Sequence, residues 1–595
     1  MENHQLVKEK YSQLAMSVFF FTLLVPFLGF LFFFKTTKQQ QRSHNNNHAP
    51  LSHPIIGCLV SFYQNRHRLL DWYTEQLANS PTQTIVVRRL GARRTVVTAN
   101  PRNVEYILKT NFGNFPKGKP FTEILGDFLG CGIFNVDGEL WHAQRKLASN
   151  AFSTRSLKDF IVKTLQEEVQ QRLVPLLEHA ARENHVIDLQ DVLSRLTFDT
   201  VCKVSLGYDP CCLDLSKPLP PLLTAFDTAS EVSAARGSAP VFLVWKMKRM
   251  LNVGSEKALK EAVKLVHESV MNIIKLKKEE IRFNRKNGTD LLDRLLEACH
   301  EEIVVRDMVI SMIMAGRDTT SAAMTWLFWL LSRHREQEAS LVKEVYDENN
   351  QNQGLGLDYE CLKEMKLLKA CLCESMRLYP PVAWDSKHAG GADVLPDGTH
   401  VEKGDRVTYF PYGMGRMEAL WGENCCEFKP QRWFHEENVD NGILKCVNPY
   451  MFPVFQAGPR VCLGREMAFI QMKYVVASIL NRFVISPVSD EQPRFVPLLT
   501  AHMAGGFIVR VHKRNGTEIE NTYWCSTSKI YIEIASPLTQ GLGSWLRGMS
   551  HELDKAMGKD LRVITELSGG AMGPGDSKVR QRNDPGQIAA EVAMV

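Results

Sequence analysis

The chain has 595 residues, 44% of them hydrophobic and 23% charged, with 71 Lys and Arg against 66 Asp and Glu, a net charge of +5. That composition excludes a disordered or fibrous chain and leaves room for a large core or several domains. The positive excess is mild and no basic tract is interleaved with aromatics, which argues against nucleic acid as a partner.

In chain order, residues 1–13 form a short flank. Leu14–Phe34 (LAMSVFFFTLLVPFLGFLFFF) then carries no charge and is long enough to cross a bilayer as a helix. A cleaved signal peptide would have a shorter apolar core ending in small residues, whereas this run ends in Phe32, Phe33 and Phe34. Lys35, Lys38 and Arg42 follow it, while Glu2 and Glu9 offset Lys8 and Lys10 before it. The positive-inside rule then leaves the flank lumenal and everything after the anchor cytosolic. In that reducing compartment the fourteen cysteines are not expected to form a disulfide framework. Nor do the pairs Cys211/Cys212 and Cys425/Cys426 have zinc spacing.

Residues 35–50 are polar and low in complexity, a linker. The β-branched runs TIVV and TVVT around Gly91 predict a hairpin over 82–99. Helical periodicity dominates from about 140 to 375. After 380 come Pro, Gly and short strand-like runs, with a last helix near 463–482. The expected fold is mainly α with a smaller β part. The apolar stretch 308–331 holds Arg317 and Asp318 at its centre, where charge is costly in lipid. It therefore predicts a helix through a protein core, roughly 35 Å long at ~1.5 Å per residue.

Four segments carry chemistry. FQAGPRVCLGRE (455–466) sets Cys462 between glycines with Arg460 two residues earlier. CESMR (373–377) puts Glu374 and Arg377 on one helical face. AGRDTT (315–320) places an acid, Asp318, beside an alcohol, Thr319, in the middle of the long helix, a pair suited to proton transfer. WHAQR (141–145) spaces Trp141 and Arg145 one turn apart.

Together these segments resemble the cytochrome P450 superfamily over residues 51–513, the pattern FxxGxRxCxG being the most specific. The resemblance implies the P450 fold with haem b bound through the thiolate of Cys462. It places Phe455, Gly458, Arg460 and Gly464 in the haem loop, and Trp141, Arg145 and Lys387 at the haem propionates. It also implies that Ala315 and Gly316 leave room for dioxygen, that Asp318 and Thr319 relay protons, and that Glu374, Arg377 and Arg432 form a cluster under the loop. The sequence departs from the family pattern at Gln431, where an acid is usual.

FPKGKPFTEILGDFLGCGIFNVDGELW and PYGMGRMEALWG are similar to the plant fatty-acid ω-hydroxylases, including those acting on jasmonoyl–amino-acid conjugates. Phe121, Ile124, Leu125 and Phe128 would then line an alkyl channel, or else belong to the core. The resemblance implies an NADPH- and O2-dependent monooxygenase in the endoplasmic reticulum membrane, served by NADPH–cytochrome P450 reductase. Its substrate is a lipophilic carboxylate, either jasmonoyl-isoleucine hydroxylated at carbon 12 or a long-chain fatty acid hydroxylated near its ω end. Two alternatives stay open: a haem-thiolate isomerase or lyase acting on lipid hydroperoxides, and a non-catalytic membrane haem protein. Residues 514–595 fall outside the resemblance.

Overall fold

The computed structural model describes residues 53 and 56–514, except 153–154, 240–241, 285–289, 300, 352–356 and 436–442. The expected anchor 14–34, the linker 35–50 and residues 515–595 lie outside the described residues. Among the described residues no helix is long and apolar enough to cross a membrane.

The predicted hairpin forms as β1 (Thr84–Val87) and β2 (Thr95–Thr98), antiparallel with Thr84 opposite Thr98 and Val87 opposite Thr95. Gly91 takes a positive φ of 77° in the connection, a conformation glycine adopts without steric cost. Two later strands complete this sheet, β4 (Asp385–His388) and β5 (Arg406–Tyr409), in the order β1-β2-β5-β4. β2 runs parallel to β5. A three-residue strand inside the helical region, β3 (Val186–Asp188), pairs with β7 (Ile508–Lys513), which also pairs with β6 (Phe483–Pro487). β3 is too short to interrupt the helical periodicity around it and becomes a strand only because β7 offers an edge.

Five helices position the site: α1 (Lys119–Leu129), α2 (Gly138–Phe152), α3 (Leu189–Leu206), α4 (Glu302–Arg333) and α5 (Lys366–Leu378). A sixth, α6 (Arg465–Leu480), is the last helix expected from the sequence. α4 extends beyond the apolar run at both ends, roughly 48 Å at ~1.5 Å per residue. Glu302 in its first turn and Arg333 in its last complement the helix dipole.

The C-terminal half of α4 packs with α5 and α6 in one core, where Trp326 stacks on Tyr379 with ring centroids 4.0 Å apart. Its N-terminal half belongs to a second core with α1, α3 and the end of α2. The stretch 308–331 is therefore a core helix, as its central charges require. Arg317, on α4, is buried, pairs with Asp227 at 2.5 Å and hydrogen-bonds Ser194 on α3.

Candidate active site

A cavity of about 560 Å³ lies between α4, the loop before α6, the β1-β2-β5-β4 sheet and α1. That is within the range of small-molecule sites. Its wall holds one cysteine among the described residues, Cys462, which is accessible from the cavity. Two 3₁₀ turns, Pro453–Phe455 and Gly458–Arg460, shape the loop, and the Cys462 amide donates to the Phe455 carbonyl at 2.8 Å. Burial pushes the Cys462 thiol up, against the opposing pull of the Gly464 N–H, Arg145 and Arg465. Phe455, Arg460 and Gly464 also line the cavity, but Gly458 does not. At φ 66°, a β-carbon on Gly458 would collide with the Leu108 carbonyl oxygen. The loop thus turns tightly at Gly458, packed against Leu108.

Four cations converge beside the loop. Arg460 donates to Asp137 at 2.7 Å and to the Val136 carbonyl at 2.9 Å, with its guanidinium 4.5 Å from the Trp141 ring centre. Arg145 lines the cavity, and its side chain has no hydrogen bond or ion pair among the described residues. Lys387 is 1% exposed and therefore not a surface lysine. Lys117 and Lys387 share one carboxylate, Asp385, at 2.8 and 3.0 Å. Tyr409 and Gln456 donate to the same carboxylate, both at 2.8 Å. Burial holds Lys387 down to about 7, with Asp385 opposing the shift. Burial would raise Asp385, but Lys117 and Lys387 hold it well below the usual carboxylate range.

Lys117, Asp385, Tyr409 and Gln456 were not expected from the sequence. Lys117 sits in FPKGKP, where turn residues suggest a surface lysine, and only the meeting of β4, β5 and the cysteine loop gives it a role.

Above the cysteine loop, α4 lines the cavity with Ala315, Gly316, Thr319 and Thr320. The Thr319 hydroxyl donates to the Ala315 carbonyl at 2.6 Å, the back-bonding that lets a mid-helix threonine remain satisfied. Asp318 is not on the wall. Its carboxylate lies 3.3 Å from Arg317 Nε, and burial raises it despite that arginine. The expected acid–alcohol pair is therefore split, with Thr319 in the cavity and Asp318 turned toward the Arg317–Asp227 pair. The small size of Gly316 also has a packing cause: a β-carbon there would come within 2.7 Å of Val201 Cγ2 on α3. Gly316→Ala is expected to cost about 1–3 kcal/mol, and Val201→Ala in the same chain should recover most of it. Thermal unfolding of the single and double variants checks this.

Phe121, Ile124 and Leu125 line the cavity from α1, but Phe128 does not. Fully buried, it packs on Phe226 at 5.4 Å between ring centroids and belongs to the core.

Behind the cysteine loop, Glu374 and Arg377 are both fully buried and joined by two hydrogen bonds of 2.8 Å. Arg432 reaches Glu374 at 3.3 Å, Trp433 Nε1 donates to it at 2.9 Å, and the Lys429 amide at 3.0 Å. Arg377 also donates to the carbonyls of Gly415, Cys425 and Glu427. Gln431 is exposed in the 3₁₀ turn Pro430–Trp433, so an acid is not needed there for Arg432 to reach Glu374.

The family model for cytochrome P450 matches residues 48–504. The chain is 60% identical over 78% of its length to Cytochrome P450 94B1 of Arabidopsis thaliana, covering 91% of that protein. It is 59% identical over 79% of its length to Cytochrome P450 94B3 of the same plant, covering 92% of it. To Cytochrome P450 94A2 of Vicia sativa it is 46% identical over 78% of its length, covering 91% of that relative. The solved cytochrome P450DA heme domain superposes with a TM-score of 0.64 at 22% identity, over 79% of this chain and 98% of that one, a likeness of fold. A cavity with one cysteine on its wall, crossed by a long helix and matched by a family model over most of the described chain, leads to one conclusion: the chain belongs to the cytochrome P450 family and is a haem-thiolate monooxygenase.

Proposed function

We propose that Cys462 is the axial ligand and that the enzyme hydroxylates the ω region of a fatty-acyl-type carboxylate, a jasmonoyl–amino-acid conjugate or a long-chain fatty acid. The observation that carries this reading is the cavity wall, where Cys462 lies in one chamber with the α1 side chains Phe121, Ile124 and Leu125. The substrate class rests on the likeness to the plant ω-hydroxylases.

The residues present fit haem b. Lys117 and Lys387 pair with Asp385, and Arg460 pairs with Asp137. Arg145, on the cavity wall, has no hydrogen bond or ion pair among the described residues, so cationic side chains outnumber the acids where a group with two propionates would need them. When bound, haem supplies the activation of dioxygen that lets one oxygen atom enter a C–H bond, its potential tuned by the thiolate.

The chain's own residues hold, exclude and deliver. Arg145, Arg460, Lys387 and Lys117 would hold the propionates. Apolar α1 side chains exclude water and guide an alkyl chain. Asp318 pairs with the buried Arg317, which also pairs with the half-exposed Asp227, so this carboxylate reaches from α4 toward solvent rather than into the cavity. Thr319 faces the cavity, where its hydroxyl, whose hydrogen rests on the Ala315 carbonyl, keeps its lone pairs free to accept a hydrogen bond and can pass a proton on only when that hydrogen turns off the carbonyl.

Electrons come from a reductase. We infer that the segment 14–34 anchors the chain in the endoplasmic reticulum membrane with residues 51–513 in the cytosol. Microsomes holding the protein, reductase and NADPH, given fatty acids and jasmonoyl-isoleucine in competition, test the substrate reading. Turnover of neither sinks it.

Thr319→Ala is expected to uncouple the enzyme. NADPH oxidation should continue, because haem and reductase binding do not need this hydroxyl. Peroxide should rise, and product per NADPH should fall severalfold. Unchanged coupling would return the threonine to a structural role.

A further inference from the structure

A second group of cations faces the cavity from the other side of the sheet. Register places Arg406 of β5 beside Thr95 of β2 and His388 of β4, so these three side chains share a face opposite that of Lys387. Arg89 and Arg93, from the β1–β2 connection, line the same wall. Among the described residues no acid pairs with Arg89, Arg93 or Arg406, and the nearby Asp405 is taken by Arg94. The Nε atoms of Arg89 and Arg406 are buried without a partner. The Arg89 guanidinium instead lies 4.0 Å from the Phe62 ring centre. Burial, then Arg89 and Arg93, pull Arg406 below the usual arginine range. Cations held together in a partly dry wall are costly unless an anion joins them.

His388 adds a polarity. It is 5% exposed, and its Nδ1 lies 2.6 Å from the Lys117 carbonyl, so Nδ1 carries the proton and donates. Burial holds the ring down to about 4, against that hydrogen bond, so it is neutral at pH 7. Nε2 is then an acceptor, it is buried, and no group among the described residues donates to it. The wall thus lacks one anion and, beside it, one hydrogen-bond donor.

We propose that Arg406, Arg89, Arg93 and His388 form a head-group subsite, taking a substrate carboxylate on the arginines and an adjacent N–H on His388 Nε2. The subsite rests on the reading of an acyl carboxylate substrate and deepens it. An acyl chain that ends in an amide-linked amino acid satisfies both requirements, whereas a free fatty acid leaves His388 unmatched. With the head held at the sheet, the remote end of the chain is the part left to reach Cys462.

Equilibrium dialysis of purified holoenzyme tests this with four probes: N-lauroylglycine, its methyl ester, N-lauroylsarcosine, which lacks the N–H, and laurate. Wild type should bind N-lauroylglycine about tenfold more tightly than the ester, the loss of a charged hydrogen bond, and severalfold more tightly than the sarcosine compound or laurate. Arg406→Gln and Arg89→Gln should bring the acid down to the ester's affinity, with ester binding and haem content unchanged. Arg88→Gln, exposed and off the wall, should alter none of these.

Equal binding of acid and ester by wild type overturns the subsite. If both are still hydroxylated, the acyl-substrate reading stands without it. If no probe binds, both fall. Loss of haem in Arg406→Gln, with acid binding unchanged in the haem-loaded fraction, would assign the cluster to a haem propionate and also overturn it.

Discussion

Cys462→Ser is expected to abolish the thiolate-haem absorption signature, measured as the carbon monoxide difference band of the reduced protein. The side chain changes by one atom, and the backbone bond from residue 462 to the Phe455 carbonyl is retained, so the loop has no reason to refold. What changes is the ligand. An alcohol is a far weaker acid than a thiol, so a serine in this wall stays protonated where a cysteine can ionise to bind a metal. No second cysteine lines the cavity among the described residues to take its place. Protein yield and membrane fraction should match wild type. A normal difference band in this variant would remove Cys462 from the ligand position and with it the proposed mechanism.

Glu374→Ala is expected to act on folding and haem retention before it acts on chemistry. The carboxylate is fully buried and receives donors from Arg377, Arg432, Trp433 and Lys429. Its removal leaves Arg377, itself fully buried, with only backbone carbonyls to balance its charge. Breaking one side of such a pair costs about 3–5 kcal/mol, a large share of the about 5–15 kcal/mol that holds a typical domain together. Holoprotein yield should fall steeply, while the surviving holoenzyme should keep near-normal turnover per haem. Glu374→Gln, which keeps one acceptor, should fall between the two. Wild-type yield in the alanine variant would show that the cluster does not hold the cysteine loop in place.

How much of this was legible in the sequence depended on how local its cause was. The hairpin followed from alternating β-branched residues around a glycine, and α6 from periodicity after a turn. α4 was recognisable as a core helix because Arg317 and Asp318 at mid-run exclude lipid. Cys462 stood out among fourteen cysteines because a fixed pattern of glycines and arginine surrounds it in ten consecutive residues. In each case the interactions that decide the outcome lie within a few turns of chain.

The tertiary structure decided what depends on direction and on distant partners. Asp318 and Thr319 are neighbours in sequence, yet successive residues of a helix point about 100° apart, so only one of them faces the cavity. Gly316 read as room for dioxygen and Gly458 as part of the haem loop, and each is also required by a side chain or backbone far along the chain, Val201 and Leu108. Phe128 shares α1 with Leu125, and the approach of Phe226 decides that it is core. Lys117 and Lys387 lie far apart in sequence and share Asp385 only because the chain at Pro116 and Lys117 is laid against β4. The pairing of β4 with β5 sends Arg406 and His388 to the opposite face. Chain-local chemistry thus determined the family and singled out Cys462 as the candidate ligand. Which groups share a wall, and which charges are left without partners, was settled by strand register and helix crossing, since burial and pairing are properties of contacts between segments that the order of residues does not display.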